Sequence, residues 1–239
     1  MNRRIQLACV WCGPIGVVGY LICFAGLAHF LPPSHPTWSA DRTAQFYVDH
    51  RDGIRAGMIG GMVFATLLLV FFASISRQIA AIEKDRFPIL AILQLAGAIL
   101  LTVFFYVCSM LWIVASFRAD YDPGVVRTLH DAGWLVFVMV FPEYCLMMLC
   151  MAAAAFMDKR PNPTWPRWAG YGLFWVSLSG MGGGLAVFFK HGAFAWNGLI
   201  GFWAPISIFV IWLGISTWLL RAAVLREPVE VEEPVALAA

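Results

Sequence analysis

The sequence predicts an all-α polytopic membrane helix bundle with six transmembrane helices arranged as three hairpins. The 239 residues are 61% hydrophobic and only 13% charged, and their mean hydropathy is +0.77. A soluble globular domain carries about 25% charged and about 45–50% apolar residues. Since no soluble core can bury this much apolar surface, we expect the chain to lie in a bilayer. The apolar runs are continuous, and a strand barrel would show alternating polarity instead.

Six apolar stretches are long enough to span, because a hydrocarbon core of about 30 Å needs about 20 helical residues. They lie near residues 8–30, 54–76, 88–115, 133–156, 168–188 and 199–220. The first stretch is expected to be retained, since about 23 apolar residues exceed the 7–15 of a typical signal peptide core. We therefore expect one transmembrane domain over residues 1–225 and a disordered acidic tail over residues 226–239.

Basic residues orient the chain with both termini in the cytoplasm. Ten of them then lie on the inner side: Arg3, Arg4, Arg77, Lys84, Arg86, Lys159, Arg160, Arg167, Arg221 and Arg226. Six lie on the outer side: Arg42, Arg51, Arg55, Arg118, Arg127 and Lys190. The net charge of +2 and the lack of a basic cluster argue against a nucleic acid partner.

The first outer loop is predicted to contain a short helix. Ser39 can cap it, and it would run through about His50 with Phe46 and Tyr47 in the membrane interface. Such a helix would form a lid over the bundle. At the starts of the even-numbered spans, Asp52, Asp131 and Asn197 are the expected helix caps, because their side-chain oxygens accept hydrogen bonds from unpaired N–H groups.

The start of the second span combines packing residues with charged ones. Gly53, Gly57 and Gly61 recur every four residues, and such a stripe lets helix backbones approach closely. Arg51 and Arg55 lie on nearly the opposite side. Two like charges four residues apart indicate either a clamp for a carboxylate or phosphate, or pairing with outer acids such as Asp120 or with lipid phosphates.

The polar side chains of the outer end suggest a binding or active site there. All five histidines lie in the outer loops or at the adjoining helix ends: His29, His35, His50, His130 and His191. His50 and His130, with the neighbouring Asp131, could belong to a ligand site or, across loops, to a metal site. No motif with metal-ligand spacing occurs, so the sequence assigns no cofactor.

Glu143 is the one ionisable residue predicted in the membrane core. It follows Pro142 and lies about ten residues past Gly133, which places it roughly 15 Å deep at 1.5 Å per residue. A charged carboxylate at that depth is costly, so Glu143 is expected to be protonated, paired or in contact with water. A proton relay and a hydrogen-bonded structural acid both remain open for it.

One outer turn resembles a known group of proteins. The stretch "FFKHGAFAWNGLIGFW" (188–203), with "GIRAG" (53–57), "GW" (133–134) and "PRWAGY" (166–171), is similar to uncharacterised six-helix membrane proteins of bacteria, common in actinobacteria. The group's version reads "KTGPFAWNG", from which His191 and Ala193 differ. The resemblance implies a multi-pass protein of the bacterial inner membrane and no particular chemistry.

Three hypotheses of function follow. The first is a protein that binds or transports a small amphipathic or anionic ligand in an outward-facing polar cavity built on His50, Arg51, Arg55, His130, Asp131 and Glu143. The second is an intramembrane metal- or haem-dependent enzyme or redox protein that uses the outer histidines and aspartates. The third is an accessory subunit whose glycine stripes pack against a partner helix or a second copy. In all three hypotheses the lipid bilayer surrounds the protein.

Overall fold

The computed structural model describes residues 2–227, and within that range every regular element is helical. The α-helices are α1 (Arg3–Leu21), α2 (Ala40–Asp49), α3 (Arg51–Glu83), α4 (Ile89–Phe117), α5 (Pro123–Val138), α6 (Phe141–Met157), α7 (Arg167–Gly184) and α8 (Ala204–Arg226). Two π-helices, Ile22–Leu27 and Leu199–Trp203, and one 3-10 helix, Ala186–Phe188, complete the regular elements of the described residues.

Six helical segments are long and apolar enough to cross a membrane, which confirms the predicted fold class. They cover Arg3–Leu27, Arg51–Glu83, Ile89–Phe117, Pro123–Met157, Arg167–Phe188 and Leu199–Arg226. Helix α1 packs on α3, α4 packs on α5 and α6, and α7 packs on α8, as three hairpins. Helix α8 also packs on α1, and Arg3 Nη2 donates to the Leu225 carbonyl at 2.6 Å. We call the end at which the described residues 2 and 227 lie the inner end and the opposite end the outer end.

The predicted glycine stripe of α3 packs against the first span. A Cβ atom on Gly57 would lie 2.6 Å from the Cys23 carbonyl oxygen, and one on Gly53 would overlap the Leu27 carbonyl. Both carbonyls belong to the π-helix, and a Cβ on Gly61 would approach Tyr20 at 3.3 Å. The predicted close approach of helix backbones therefore occurs within this chain, and these three glycines do not face the partner helix that the third hypothesis gave them.

An aromatic core fills the outer half of the bundle. Phe30 and Trp112 lie with ring centroids 4.7 Å apart, Trp112 and Trp134 are 5.4 Å apart, and Phe24 is 5.8 Å from Trp134. All four side chains are buried. Because aromatic rings bury the largest areas of any side chains, this cluster joins the first π-helix, the first outer loop, α4 and α5 into one body.

The predicted lid helix is confirmed as α2, which Ser39 caps by accepting from the Arg42 N–H at 3.2 Å. The placement of Tyr47 is corrected, however. Its side chain is fully buried against the protein instead of lying in the membrane interface. Since α2 packs on α5, the lid is part of the core of the outer end and not a loose cover.

The predicted helix caps are wrong at all three positions. Helix α3 begins at Arg51, with His50 at its cap position, so Asp52 lies within the first turn. Helix α5 begins at Pro123, and Asp122 caps it by accepting from the N–H groups of Gly124 at 2.7 Å and Val125 at 3.3 Å. Asp131 therefore lies in mid-helix. At the third position, Gly198 and not Asn197 precedes the helix.

The inner turns are held by acids that accept backbone hydrogen bonds. Glu83 caps α4 by accepting from the N–H groups of Leu90 and Ala91, both at 3.0 Å. Asp158 pairs with Arg160 at 2.6 Å and accepts from the Thr164 N–H at 2.9 Å. Burial by itself would raise the pKa of Asp158, but the bonds from Arg160 and Thr164 lower it overall. The turn thus keeps a charged carboxylate.

The tail predicted over residues 226–239 is described only at its start. Arg226 is the last residue of α8, and Glu227 follows it with hydrogen bonds to α1 and α3. The disorder predicted for residues 228–239 falls outside the described residues.

Gly57→Ala is expected to lower the melting temperature of the detergent-purified protein by several degrees. The new methyl group would overlap the Cys23 carbonyl and the Ala28 N–H, and such overpacking costs about 1–3 kcal/mol. A loss of 1 kcal/mol corresponds to about 2–4 °C in a chain of this size. Gly214→Ala is the matched control, because nothing lies within 4 Å of its Cβ position. Equal melting temperatures for the two variants would contradict the packing role of the stripe.

Candidate functional site: a cavity at a broken helix

The two arginines of the outer end have protein partners. Arg51 Nη2 pairs with Asp120 Oδ1 at 2.9 Å. Arg55 Nη2 donates to the Ser116 carbonyl at 3.0 Å, at the last turn of α4, where unpaired carbonyls attract a cation. Asp52 lies 3.5 Å from Arg55. Since the outer loop supplies an acid and a helix end, the two like charges do not require a bound anion.

Four of the five outer histidines form two separate pairs and do not come together in one cluster. His50 lies with its ring centroid 4.6 Å from that of His29, and its Nδ1 is 3.0 Å from the Phe46 carbonyl oxygen. His35 lies 5.6 Å from His191. Across residues 2–227, no three side chains of His, Cys, Asp or Glu come together as metal ligands. The metal and haem alternative therefore gains no support from the described residues.

His130 is the centre of a buried hydrogen-bond link. Its Nε2 is 2.7 Å from Ser34 Oγ and its Nδ1 is 3.0 Å from the Tyr47 hydroxyl. Trp196 Nε1 donates to the Ser34 carbonyl at 2.9 Å. A neutral imidazole offers one donor and one acceptor, so two hydroxyl partners satisfy it completely. The link joins α2, α5 and two outer loops, and it leaves His130 2% exposed.

Asp131 lies next to this link and not within it. Burial and the nearby Asp131 carboxylate together raise the pKa of Tyr47 well above its ordinary value, so the Tyr47 hydroxyl keeps its proton. The positive charges of Arg127 and Lys190 interact with the Asp131 carboxylate. The sequence missed Ser34 and Tyr47 because no motif joins them to His130. Trp196 belongs to the "FAWNG" stretch, which was the only signal for it.

The fourth span breaks in mid-membrane, and the glycines of α7 lie against the break. Helix α5 ends at Val138 and α6 starts at Phe141. A Cβ on Gly183 would overlap the Val138 carbonyl, and one on Gly182 would lie 2.5 Å from the Ile200 carbonyl oxygen. Side chains at these positions would push α7 away from both irregular segments. Irregular backbone at membrane depth is tolerated only where protein or a cavity surrounds it.

A partly open cavity of about 90 Å³ lies at this break. Residues of α4, the break itself, α6, α7, the second π-helix and α8 line it, and nearly all of them are apolar. The aromatic members are Phe105, Phe137, Phe141, Tyr144, Phe202 and Phe209. Pro205, in the first turn of α8, follows the second π-helix and lines the far side of the cavity. The cavity lies where the broken fourth span meets the π-helical start of the sixth.

Glu143 lies near the cavity but does not line it. Its side chain is half-buried, and its backbone carbonyl faces Gly97 of α4. No hydrogen bond or ion pair within residues 2–227 reaches its carboxyl group. Thirteen residues separate it from His130, which at 1.5 Å per residue is about 20 Å along the span. Glu143 and the outer residues therefore do not form one site, and its proton-relay role stays a prediction.

The chain matches no protein-family model, and it shows no significant match to curated proteins or to solved structures. The resemblance to bacterial six-helix proteins stays a prediction.

Tyr47→Phe is expected to destabilise the protein, because it removes one partner of a buried ring nitrogen. An unsatisfied buried polar atom costs about 1–3 kcal/mol. The melting temperature should fall by several degrees, while Tyr121→Phe should leave it unchanged, since Tyr121 is 79% exposed. If Tyr47→Phe had the same melting temperature as the wild type, the hydrogen-bond link would not stabilise the outer end.

Proposed function

We propose that this integral membrane protein binds a small amphipathic molecule from the bilayer, with the apolar part of that ligand in the cavity at the α5–α6 break. The observation that carries the proposal is an almost wholly apolar, partly open cavity where the broken fourth span meets the π-helical start of the sixth. Discontinuous helices with glycine or proline interruptions mark ligand sites in many membrane transporters. At this depth the surroundings of the protein are lipid, so the ligand is one that partitions into a bilayer.

The size of the cavity limits what it can hold. A volume of about 90 Å³ exceeds the roughly 10–15 Å³ that one water requires. It is well below the roughly 300–1,000 Å³ of sites that enclose a drug-sized molecule. The cavity therefore suits a ring or the end of a hydrocarbon chain, and the rest of the ligand would remain outside it.

One polar group in the lining can orient such a ligand. The Tyr144 hydroxyl is buried and makes no hydrogen bond of normal geometry with any residue of 2–227. Ser179 lies nearby, but its own proton goes to the Val176 carbonyl at 2.6 Å. A ligand hydroxyl or carbonyl could pair with Tyr144, as few polar groups set the orientation in apolar sites.

This proposal moves the ligand site predicted from the sequence. The sequence indicated an outward polar cavity, whereas Arg51, Arg55 and His130 already have partners within the protein. We keep the hypothesis of an amphipathic ligand and propose that its site lies in the middle of the bundle. Location in a bacterial inner membrane is part of the proposal and rests on the resemblance alone.

Ile206→Trp should abolish ligand retention, because the larger ring fills the cavity from α8. The measurement is native mass spectrometry of protein purified in mild detergent, which detects retained lipids or other small molecules by mass. We expect at least tenfold less retained ligand, equivalent to about 1.4 kcal/mol. Ile211→Trp is the matched control on the same helix, since Ile211 is 63% exposed and does not line the cavity.

Equal retention by Ile206→Trp and Ile211→Trp would overturn the proposed site. A wild-type protein that retains nothing would overturn it as well. Tyr144→Phe separates the two parts of the proposal. It should weaken retention of a ligand with a polar group beside the ring and leave purely apolar ligands unaffected.

A further inference from the structure

The inner end contains four N–H donors that converge on one carboxylate. Glu227 Oε1 accepts from Arg77 Nη1 at 3.1 Å and from Gln78 Nε2 at 2.8 Å. Glu227 Oε2 accepts from Arg77 Nη2 at 3.2 Å and from Gln6 Nε2 at 3.1 Å. Each carboxylate oxygen thus receives two hydrogen bonds. We call Gln6, Arg77 and Gln78 the inner cradle.

The orientation of the donors is set by bonds that do not involve Glu227. The Gln6 carboxamide oxygen accepts from Arg77 Nη1 at 2.5 Å, and the Gln78 carboxamide oxygen accepts from the Thr164 hydroxyl at 3.4 Å. The two amide oxygens therefore turn away from Glu227, and only N–H groups face it. Gln6 is 4% exposed and Gln78 is 3% exposed, so both are fixed within the bundle. A site that presents donors alone selects anions.

The cradle lies where anions of the membrane surface are found. Arg77 follows directly on the second apolar stretch predicted at 54–76, and Gln6 precedes the first. Both therefore lie at headgroup depth. Basic pockets between transmembrane helices on the cytoplasmic side bind phosphates of anionic lipids. The inner cradle has this position and this chemistry.

A cleft of about 590 Å³ adjoins the cradle, and Gln78, Thr164, Arg160, Arg226 and Glu227 are among its lining residues. Its volume is within the range of small-ligand sites. Asp158 offsets the charge of Arg160 at 2.6 Å, whereas within the described residues Arg226 has no acidic partner. The cleft gives a headgroup or free anion a route to the cradle beside Glu227.

The ion pair within the cradle is partly exposed to water. Glu227 is the first residue after α8, its side chain is 33% exposed, and that of Arg77 is 39% exposed. Burial would raise the pKa of Glu227, but the hydrogen bonds from Arg77, Gln78 and Gln6 lower it overall, so the group is an anion at neutral pH. Water competes for both charges of a half-exposed ion pair and limits its net contribution to stability to about 1 kcal/mol. Another anion can therefore compete for the same donors.

We propose that the inner cradle is an anion-binding site in which the Glu227 carboxylate of the protein's own tail exchanges with a phosphate group. The phosphate comes from an anionic lipid headgroup or from free phosphate, and the four donors recognise the chemistry that these sources share. With the tail carboxylate bound, the site is filled. With a phosphate bound, the end of α8 is released from α1 and α3.

The test compares the melting temperatures of wild type, Glu227→Ala and the double variant Arg77→Gln with Glu227→Ala, each as the full chain in neutral detergent. Glu227→Ala empties the cradle, and its melting temperature should fall by roughly 2–4 °C. Inorganic phosphate should restore that loss in Glu227→Ala, have a smaller effect on the wild type, whose own carboxylate competes for the donors, and leave the double variant unchanged. Arg221→Gln with Glu227→Ala is the control for loss of an inner arginine outside the cradle, and it should still respond.

A second arm distinguishes the two sources. Each variant is placed in nanodiscs of phosphatidylcholine with or without phosphatidylglycerol. Recovery with phosphatidylglycerol but not with inorganic phosphate assigns a headgroup, and recovery with both assigns a general phosphate site. If neither restores Glu227→Ala, the cradle binds only the tail and the proposal is wrong. If Glu227→Ala cannot be purified, Glu227→Gln permits the same comparison, because its neutral amide binds the cradle more weakly.

Discussion

The close approach of α7 to irregular backbone is the contact on which the centre of this bundle depends. Gly182 and Gly183 face the carbonyls of Ile200 and Val138, so no side chain keeps the interrupted segments apart. A membrane offers no water to unpaired backbone groups, and a broken span is therefore stable only where other helices enclose it. Here α7 does so, and the cavity is the space that the break leaves between α4, α6 and α8.

The polar side chains of the two ends of the bundle have different kinds of partner. At the outer end Arg51, Arg55 and His130 are satisfied by Asp120, by the end of α4 and by two hydroxyls, over an aromatic core. At the inner end four donors bind one carboxylate of the tail beside a cleft of about 590 Å³. Partly exposed donors that can bind an anion thus lie at the inner end. The distribution of histidines and aspartates had indicated the outer end.

The sequence predicted what depends on local patterns. The six spans, the Ser39-capped helix and the packing of the glycine stripe follow from hydrophobic length, a capping residue and four-residue spacing. Asp122 followed by Pro123 is also a local helix-start signal, and its neglect misplaced the start of the fourth span. Long-range contacts left no such signal. Ser34 and His130 are 96 positions apart, and Gln6 and Glu227 are 221 apart.

Electron cryomicroscopy of the protein in nanodiscs made from its native lipids can show whether the cavity at the α5–α6 break holds part of a membrane-derived molecule. We expect continuous non-protein density beside Phe105, Tyr144 and Ile206 that extends to the surface of the bundle. An empty cavity, or one filled by a rearranged Phe209 side chain, would contradict the proposed site.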